Sequence, residues 1–431
     1  MIKRINILLL VLLFLAGCGK KGIDENITEV TFWHSMGGPL GEALKELIKE
    51  FNETHEDIHI KEIGMGNYTA LSQKLMASVQ ADNNPDIAQV FESWTAGMIK
   101  EGKIVAISDF IAADPSFTDE DLDDVYDVYL ESNTVNGKFW SFPFNKSVRC
   151  LYYNKDLFFQ NDLDPNKPPK TWDEFRKVCE VLTKDKDKDG VPEIYGTTFS
   201  IAAWQFENLL LQAGGEIMSP DFLTPRFQEE PGVEALEFLN GLLKDKLAYL
   251  STGYEGQSDF LAGKVGMVEG SSVSMAYMKR TGINFNMGIA AIPYQKTKRN
   301  IISGTNVCIF KNKDPETEQA AWEFVKWFSR PEQTARWSEK TYYMPVRKSA
   351  FEQPCLKKRL DENPEIADVF DQLNYASFEP PISQWYQVRK YLEEHVIEKV
   401  IRGILKPEEA LEKAAEEMKK LIEKDKEDKN E

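Results

Sequence analysis

The sequence predicts an α/β fold with its strands and helices gathered into more than one body. Three observations carry that prediction. The chain has 431 residues, and at about 150 residues per domain this gives a prior of two to three domains. It is 42% hydrophobic, with 9 Trp, 15 Tyr and 25 Phe, a content that disordered chains lack. From residue 30 onward, short strand-like runs alternate with stretches of helical periodicity, an order that calls for a parallel sheet with helices on both faces. The formal net charge is −18. A nucleic-acid binder needs a basic footprint, so no such partner is expected.

The amino terminus opens with Lys3 and Arg4 before an apolar run from Ile7 to Gly17. That run is too short to span a bilayer and fits the h-region of a secretory signal. It ends at Leu15-Ala16-Gly17-Cys18, which resembles a bacterial lipobox. Residues 1–17 are therefore expected to be a cleaved signal peptide, with lipid on Cys18. No later segment is apolar for the ~18 residues a span requires, so lipid is the only membrane attachment expected.

The body then starts with a strand at 30–33. Pro39 suits a first helical position, and Leu40, Ala43, Leu44, Leu47, Ile48 and Phe51 share one helix face. A strand at 58–60, a helix marked by Leu71, Leu75, Met76 and Val79, and a strand at 87–90 follow. Ligands of such sheets bind beyond the carboxyl ends of the strands. Those ends carry Trp33-His34-Ser35, residues 64–68 and Glu92-Ser93-Trp94. After Phe142-Pro143-Phe144 a second α/β body opens, with a strand at 150–153 and a helix over 172–183. Helices are expected near 204–213, 232–244 and 257–262, strands near 266–268, 287–293 and 303–310, and helices over 385–401 and 408–422. No repeat or low-complexity linker is visible, which favours two lobes with several chain crossings.

The sequence has no Walker-type loop, no H-E-x-x-H and no G-x-S-x-G. His34, at a strand end, is the one histidine that is a site candidate. A glycosidase pair of carboxylates leaves no spacing signature, so an extracellular glycoside hydrolase stays as a remote alternative. Cys150, Cys179, Cys308 and Cys355 form no C-x-x-C pair and are expected as free thiols. Asp185, Asp187 and Asp189, with Gly190 and then Glu193, read as a D-x-D-x-D-G calcium loop. Its twelfth position is Gly196, where an EF-hand has a bidentate Glu, so the loop is incomplete. No other cofactor is expected. Trp33, Tyr68, Trp94, Trp140, Trp204, Tyr343 and Trp385 lie among Gly, Ser and Pro at element ends. Flat rings beside polar side chains suit sugars.

At Thr31-Phe32-Trp33-His34-Ser35-Met36 the chain begins to resemble the extracellular solute-binding proteins of ATP-driven (ABC) importers, most of all the carbohydrate and glycerol-phosphate binding branch. Further matches, in order, are Gly66-Asn67-Tyr68, Gln89-Val90-Phe91-Glu92, Pro143-Phe144-Asn145-Lys146-Ser147, Leu151-Tyr152-Tyr153-Asn154-Lys155 and Pro168-Pro169-Lys170-Thr171-Trp172. Gly270-Ser271-Ser272, Ser303-Gly304-Thr305 and Lys340-Thr341-Tyr342-Tyr343-Met344-Pro345 complete the set. The resemblance implies a two-lobed periplasmic-binding-protein (Venus-flytrap) fold. One lobe would take residues 24–141 plus 301–340, the other 142–300 plus 341–431.

By the same resemblance the ligand contacts are Tyr68, Glu92, Ser147 or its neighbour Lys146, Ser271 or Ser272, Gly304 and Tyr343. One departure matters. The glycerol-phosphate branch places a phosphate-binding Arg where this chain reads Pro380-Pro381, and an Arg fork is the best partner for such an anion. Lys146 or Arg149 would have to compensate. The same segment continues Ser383-Gln384-Trp385-Tyr386-Gln387-Val388-Arg389, similar to the maltose-binding branch, whose Trp in W-Y-x-V-R stacks on a sugar. Trp385, with Trp204 as a further ring, turns the expectation toward a neutral sugar. What the resemblance implies is a monomeric receptor rather than an enzyme, lipid-anchored on the periplasmic or extracellular side. It would pass a mono- or oligosaccharide to permease subunits, with glycerol 3-phosphate or a glycerophosphodiester as the alternative ligand.

Overall fold

The computed structural model describes residues 27–312 and 314–427. The expected signal peptide and Cys18 lie outside them. Helix Gly38–Thr54 has Pro39 in its first turn and buries Leu40, Ala43, Leu44, Leu47, Ile48 and Phe51, the face its periodicity marks. That helix covers a sheet in the order Ile58–Gly64, Thr28–His34, Ile87–Val90, Ser303–Phe310, Ile104–Val105, with Phe142–Ser147 also paired to Ser303–Phe310. The first three strands run parallel. Ser303–Phe310 runs antiparallel to each of its neighbours. It enters from the second body rather than by a helical crossover, and no rule of βαβ handedness fixes its direction.

The second body departs further from a parallel sheet. Arg149–Asn154 lies between Met267–Ser271 and Met287–Ala291, antiparallel to both. Parallel pairing is left to short runs, Thr197–Phe199 with Ala248–Leu250 and Asn300–Ile301 with Ala376–Ser377. Helices Trp172–Leu182, Ala203–Gln212 and Glu230–Lys244 pack around this sheet, and with the carboxyl-terminal helix Pro407–Glu427 they share one apolar core.

The chain changes bodies abruptly. Phe142–Ser147 is a strand of the first sheet and Arg149–Asn154 a strand of the second, with Val148 alone between them. The expected division fell at 141/142, so the first sheet keeps six residues more. Pro143 has no N–H for a ladder and sits where the register shifts against Thr305 and Asn306. The chain returns through Asn300–Ile301, which pairs with Ala376–Ser377. Beyond 341 it does not leave the first body at once, because Arg347 and Ser349 bond to Asp121 and Asp124.

The expected helix over 385–401 is Trp385–Tyr391, a π turn at Leu392–Ile397 and Glu398–Ile401. Among the described residues no helix is long and apolar enough to cross a membrane. Cys150, Cys179 and Cys308 are buried free thiols, and Cys355 is free and half-buried. Burial pushes the Cys150 thiol up to about 12, far from a reactive thiolate.

Candidate ligand-binding cleft

The first wall of the cleft is organised by Asn145. Its amide donates to the Tyr68 hydroxyl at 2.9 Å and to the Tyr343 hydroxyl at 3.0 Å. Its carbonyl oxygen accepts from Gln89 Nε2 at 3.0 Å and from the Thr305 N–H at 3.3 Å. Gln89 in turn accepts from the Ser35 N–H at 2.6 Å. Tyr68 opens helix Tyr68–Gln80, whose N-cap Asn67 accepts from the Ala70 N–H at 2.9 Å. Burial pushes both phenols up, Tyr343 strongly, so both stay protonated donors. Tyr343 is backed by Trp337, stacked at 5.6 Å.

Beside this hub, Lys146 reaches Glu92 at 2.5 Å, with the lysine fully buried. Ser147 is buried next to it and pairs with Ser303. Gly304 pairs with Lys146 in the same ladder. Its φ is +111°, and a Cβ there would stand 1.9 Å from the Asn145 carbonyl oxygen. The role of Gly304 is close backbone packing beneath Asn145 and Lys146, not a contact of its own.

The opposite wall comes from the second body. Arg149 lies over the Trp204 ring at 5.3 Å and pairs with Glu269 at 3.3 Å. Trp204 Nε1 donates to the Ile301 carbonyl at 2.9 Å. Of the two serines, Ser272 is spent, donating to the Tyr342 carbonyl at 2.8 Å. Ser271 Oγ is buried with no partner, so Ser271 is the one left to offer a hydroxyl. Further along, Arg389 Nη1 lies 3.1 Å from Glu379 and its Nε 3.3 Å from Glu207. Burial raises the Glu207 carboxyl well above its ordinary value, reinforced by Glu379 and opposed by Arg389. Burial likewise raises Glu379, which also feels Glu92 and Lys146 from the first wall.

Trp385 does not stand as expected. Its ring is 1% exposed, packed in the second core and tilted against Phe227 at 6.4 Å. It offers no open face for stacking, because the first turn of its helix directs it inward. Its neighbour Tyr386 meets Trp94 edge-on at 5.8 Å, joining the two walls. Lys146, the expected phosphate cation, has its charge paired with Glu92. His34 is structural: Nδ1 accepts from the Met36 N–H and Nε2 faces Glu62 at 2.6 Å. Asp185, Asp187 and Asp189 bring oxygens within 4.8 Å of one another, but Glu193 turns onto the Lys186 N–H. Three of the four expected calcium ligands therefore converge.

Asn145, Gln89 and Arg389 stand inside the quoted motifs without being singled out, and Glu207 and Glu379 lie outside them. Their signal is a polar residue inside an apolar stretch, as in Ile87-Ala88-Gln89-Val90, Phe142-Pro143-Phe144-Asn145 and the helix Ala203–Gln212 around Glu207. Such a residue must be paired wherever it is buried.

Two α/β bodies joined by crossing strands, with a polar wall on each facing the other, define a two-lobed solute-binding protein. The chain belongs to the bacterial extracellular solute-binding protein family, whose model matches residues 46–367. It is 29% identical over 415 residues to the sn-glycerol-3-phosphate-binding periplasmic protein UgpB of Pectobacterium atrosepticum, covering 92% of this chain and 91% of that protein. The crystal structure of a cyclic α-maltosyl-1,6-maltose binding protein from Arthrobacter globiformis is 25% identical, with a TM-score of 0.77 over 92% of this chain and 99% of that one. UgpB from Mycobacterium tuberculosis, in complex with glycerophosphocholine, shares the fold at 21% identity, with a TM-score of 0.79 over 92% and 99% of the two chains.

Proposed function

We propose that this solute-binding receptor of an ABC importer captures a sugar or oligosaccharide between its lobes and hands it to the permease. Cleavage before Cys18 and a lipid on that residue would hold it, as a monomer, at the outer face of the membrane. The observation that carries the reading is that each cation of the cleft already faces a carboxylate: Lys146 with Glu92, Arg149 with Glu269, Arg389 with Glu207 and Glu379. What remains toward a ligand is a set of hydroxyls, carboxylate oxygens and rings, with the Nε–H groups of Arg149 and Arg389 as the donors still unpartnered, a mixed surface that suits a neutral polyol. Ligand touching both walls favours the closed form because only that form makes both sets of contacts. The lobes would part at Val148 and near Ile302. No covalent step is asked of the receptor.

Glycerol 3-phosphate is the second reading. It is favoured by the likeness to UgpB and by Arg149 Nε, which is buried without a hydrogen-bond partner. A thermal-shift screen of the domain after Cys18 separates the two. A ligand at about 100 times its Kd stabilises by roughly 2.7 kcal/mol. A shift with a neutral sugar and none with glycerol 3-phosphate is the expected result. A shift with the phosphate alone would overturn the sugar and assign the anion to Arg149.

A further inference from the structure

Two carboxyls of the second body share one guanidinium. Arg389 Nη1 lies 3.1 Å from Glu379, and its Nε lies 3.3 Å from Glu207. Glu207 stands on helix Ala203–Gln212 and is wholly buried. Neither of its carboxyl oxygens has a hydrogen-bond partner, and Arg389 Nε also lacks one, so that approach is misaligned. The shorter approach of Arg389 is to Glu379.

The charges that act on this pair from neighbouring elements are each engaged. Glu393, in the π turn Leu392–Ile397, accepts from the Ala203 N–H at 3.0 Å, which makes it the carboxylate at that helix start. Glu92 and Lys146 act on Glu379 from the first wall, but they pair with each other at 2.5 Å. Helix Glu230–Lys244 packs beside Ala203–Gln212 and buries only the apolar Gly232, Ala235, Leu236, Leu239 and Leu242. Toward strand Asn300–Ile301 the helix presents Asn208, whose Oδ1 accepts from the Ile301 N–H at 2.9 Å. Two carboxylates against one guanidinium would leave a negative charge with neither water nor a counter-charge. A buried carboxyl in that position takes a proton from solvent instead. The first body covers the same place, for Tyr386, one helical turn before Arg389, meets Trp94 edge-on at 5.8 Å.

We infer that Glu207 carries a proton through the neutral range, and that this proton lets the first body close over Glu207, Glu379 and Arg389. Loss of the proton puts an uncompensated charge under the first body, and parting the lobes lets water reach it. Closure is thereby regulated by pH. This regulation rests on the two-lobed receptor reading and not on the identity of the solute.

Infrared spectroscopy of the ligand-free protein reads the proton directly, as the carbonyl stretch of a protonated carboxyl. At neutral pH the parent and Glu237→Gln, a change at an exposed carboxyl of the adjacent helix, show a band that Glu207→Gln lacks. As the pH is raised through the alkaline range the parent loses this band. Its radius of gyration by small-angle scattering grows over the same interval, while Glu207→Gln stays compact throughout. The titration of the parent needs no variant, so it decides the matter even where a substitution misfolds. A parent with no such band at neutral pH, or a band that survives in Glu207→Gln, overturns the protonation of Glu207. A parent radius that does not change as the band is lost, or one that grows equally in Glu207→Gln, overturns its link to closure. No solute enters these measurements, so their failure leaves the sugar reading untouched.

Discussion

Replacing Asn145 with alanine removes the donor to Tyr68 and Tyr343 and the acceptor for Gln89 and Thr305 in one step. Each buried group left unpaired costs about 1–3 kcal/mol. Asn145→Ala should therefore lose roughly 2–4 kcal/mol in urea unfolding and weaken ligand binding at least tenfold, since both phenols lose their positions. The buried Lys146–Glu92 pair behaves differently. Glu92→Gln strands a charged lysine and should cost about 3–5 kcal/mol, whereas pairing it with Lys146→Met should recover most of that loss. A double-mutant cycle measures this directly, and additive losses would show the pair to be uncoupled. That Tyr68 and Glu92 open helices and that Tyr343 follows one was legible from the patterning around their motifs. Asn145 was not, because its meaning lies in partners 77 and 198 residues away. Trp385 was misread for a related reason: a motif names the residue but not which way its helix turns it.

Among the elements, helix Tyr68–Gln80 ties folding most closely to the site. Its N-cap Asn67 fixes the first turn, and the first residue of that turn is Tyr68. Asn67→Ala should cost ~1 kcal/mol of stability. It should also weaken ligand binding, whereas removing the cap Thr171 from helix Trp172–Leu182 should cost similar stability and leave binding unchanged. Parallel titrations of the two variants check this. Helix faces were readable throughout, because burial repeats with the helical period and needs no distant partner. Sheet direction was not. The parallel expectation held for Thr28–His34, Ile58–Gly64 and Ile87–Val90, where each helix returns the chain to the same end. It failed for Arg149–Asn154 and its neighbours, because strand patterning is the same in either direction.

For the molecule as a whole, a buried carboxyl and a half-buried one set opposite responses to pH. Glu207 has its folded value raised by burial. The stability it contributes is present below the unfolded carboxylate value of ~4.3 and is lost as pH rises toward the folded value. Burial pulls Asp114 up as well, but Lys326, Ser116 and Trp322 outweigh it and hold the carboxyl well below its ordinary range. Its contribution is present above the unfolded value and is lost as pH falls. Glu207→Gln should therefore melt higher than the parent at pH 8 and level with it near pH 4, while acid unfolding driven by Asp114 persists. Melting curves across that range decide the matter, and a constant offset at every pH would remove Glu207 from the account.

The crossing at Val148 has a mechanical consequence. Asn145 and Lys146 stand on one side of it and Arg149 on the other, so the groups that would grip a ligand sit close to the fulcrum. Between exposed residues, Tyr277 reaches the Gly37 carbonyl at 3.2 Å and Arg280 meets Glu42 at 2.9 Å, and these pairs also join the two bodies. A hinge at Val148 would have to break these exposed pairs before the bodies could part. On the proposed reading, a solute gripped beside Val148 would thereby set whether those outer pairs hold, which is the change of outline a permease would feel.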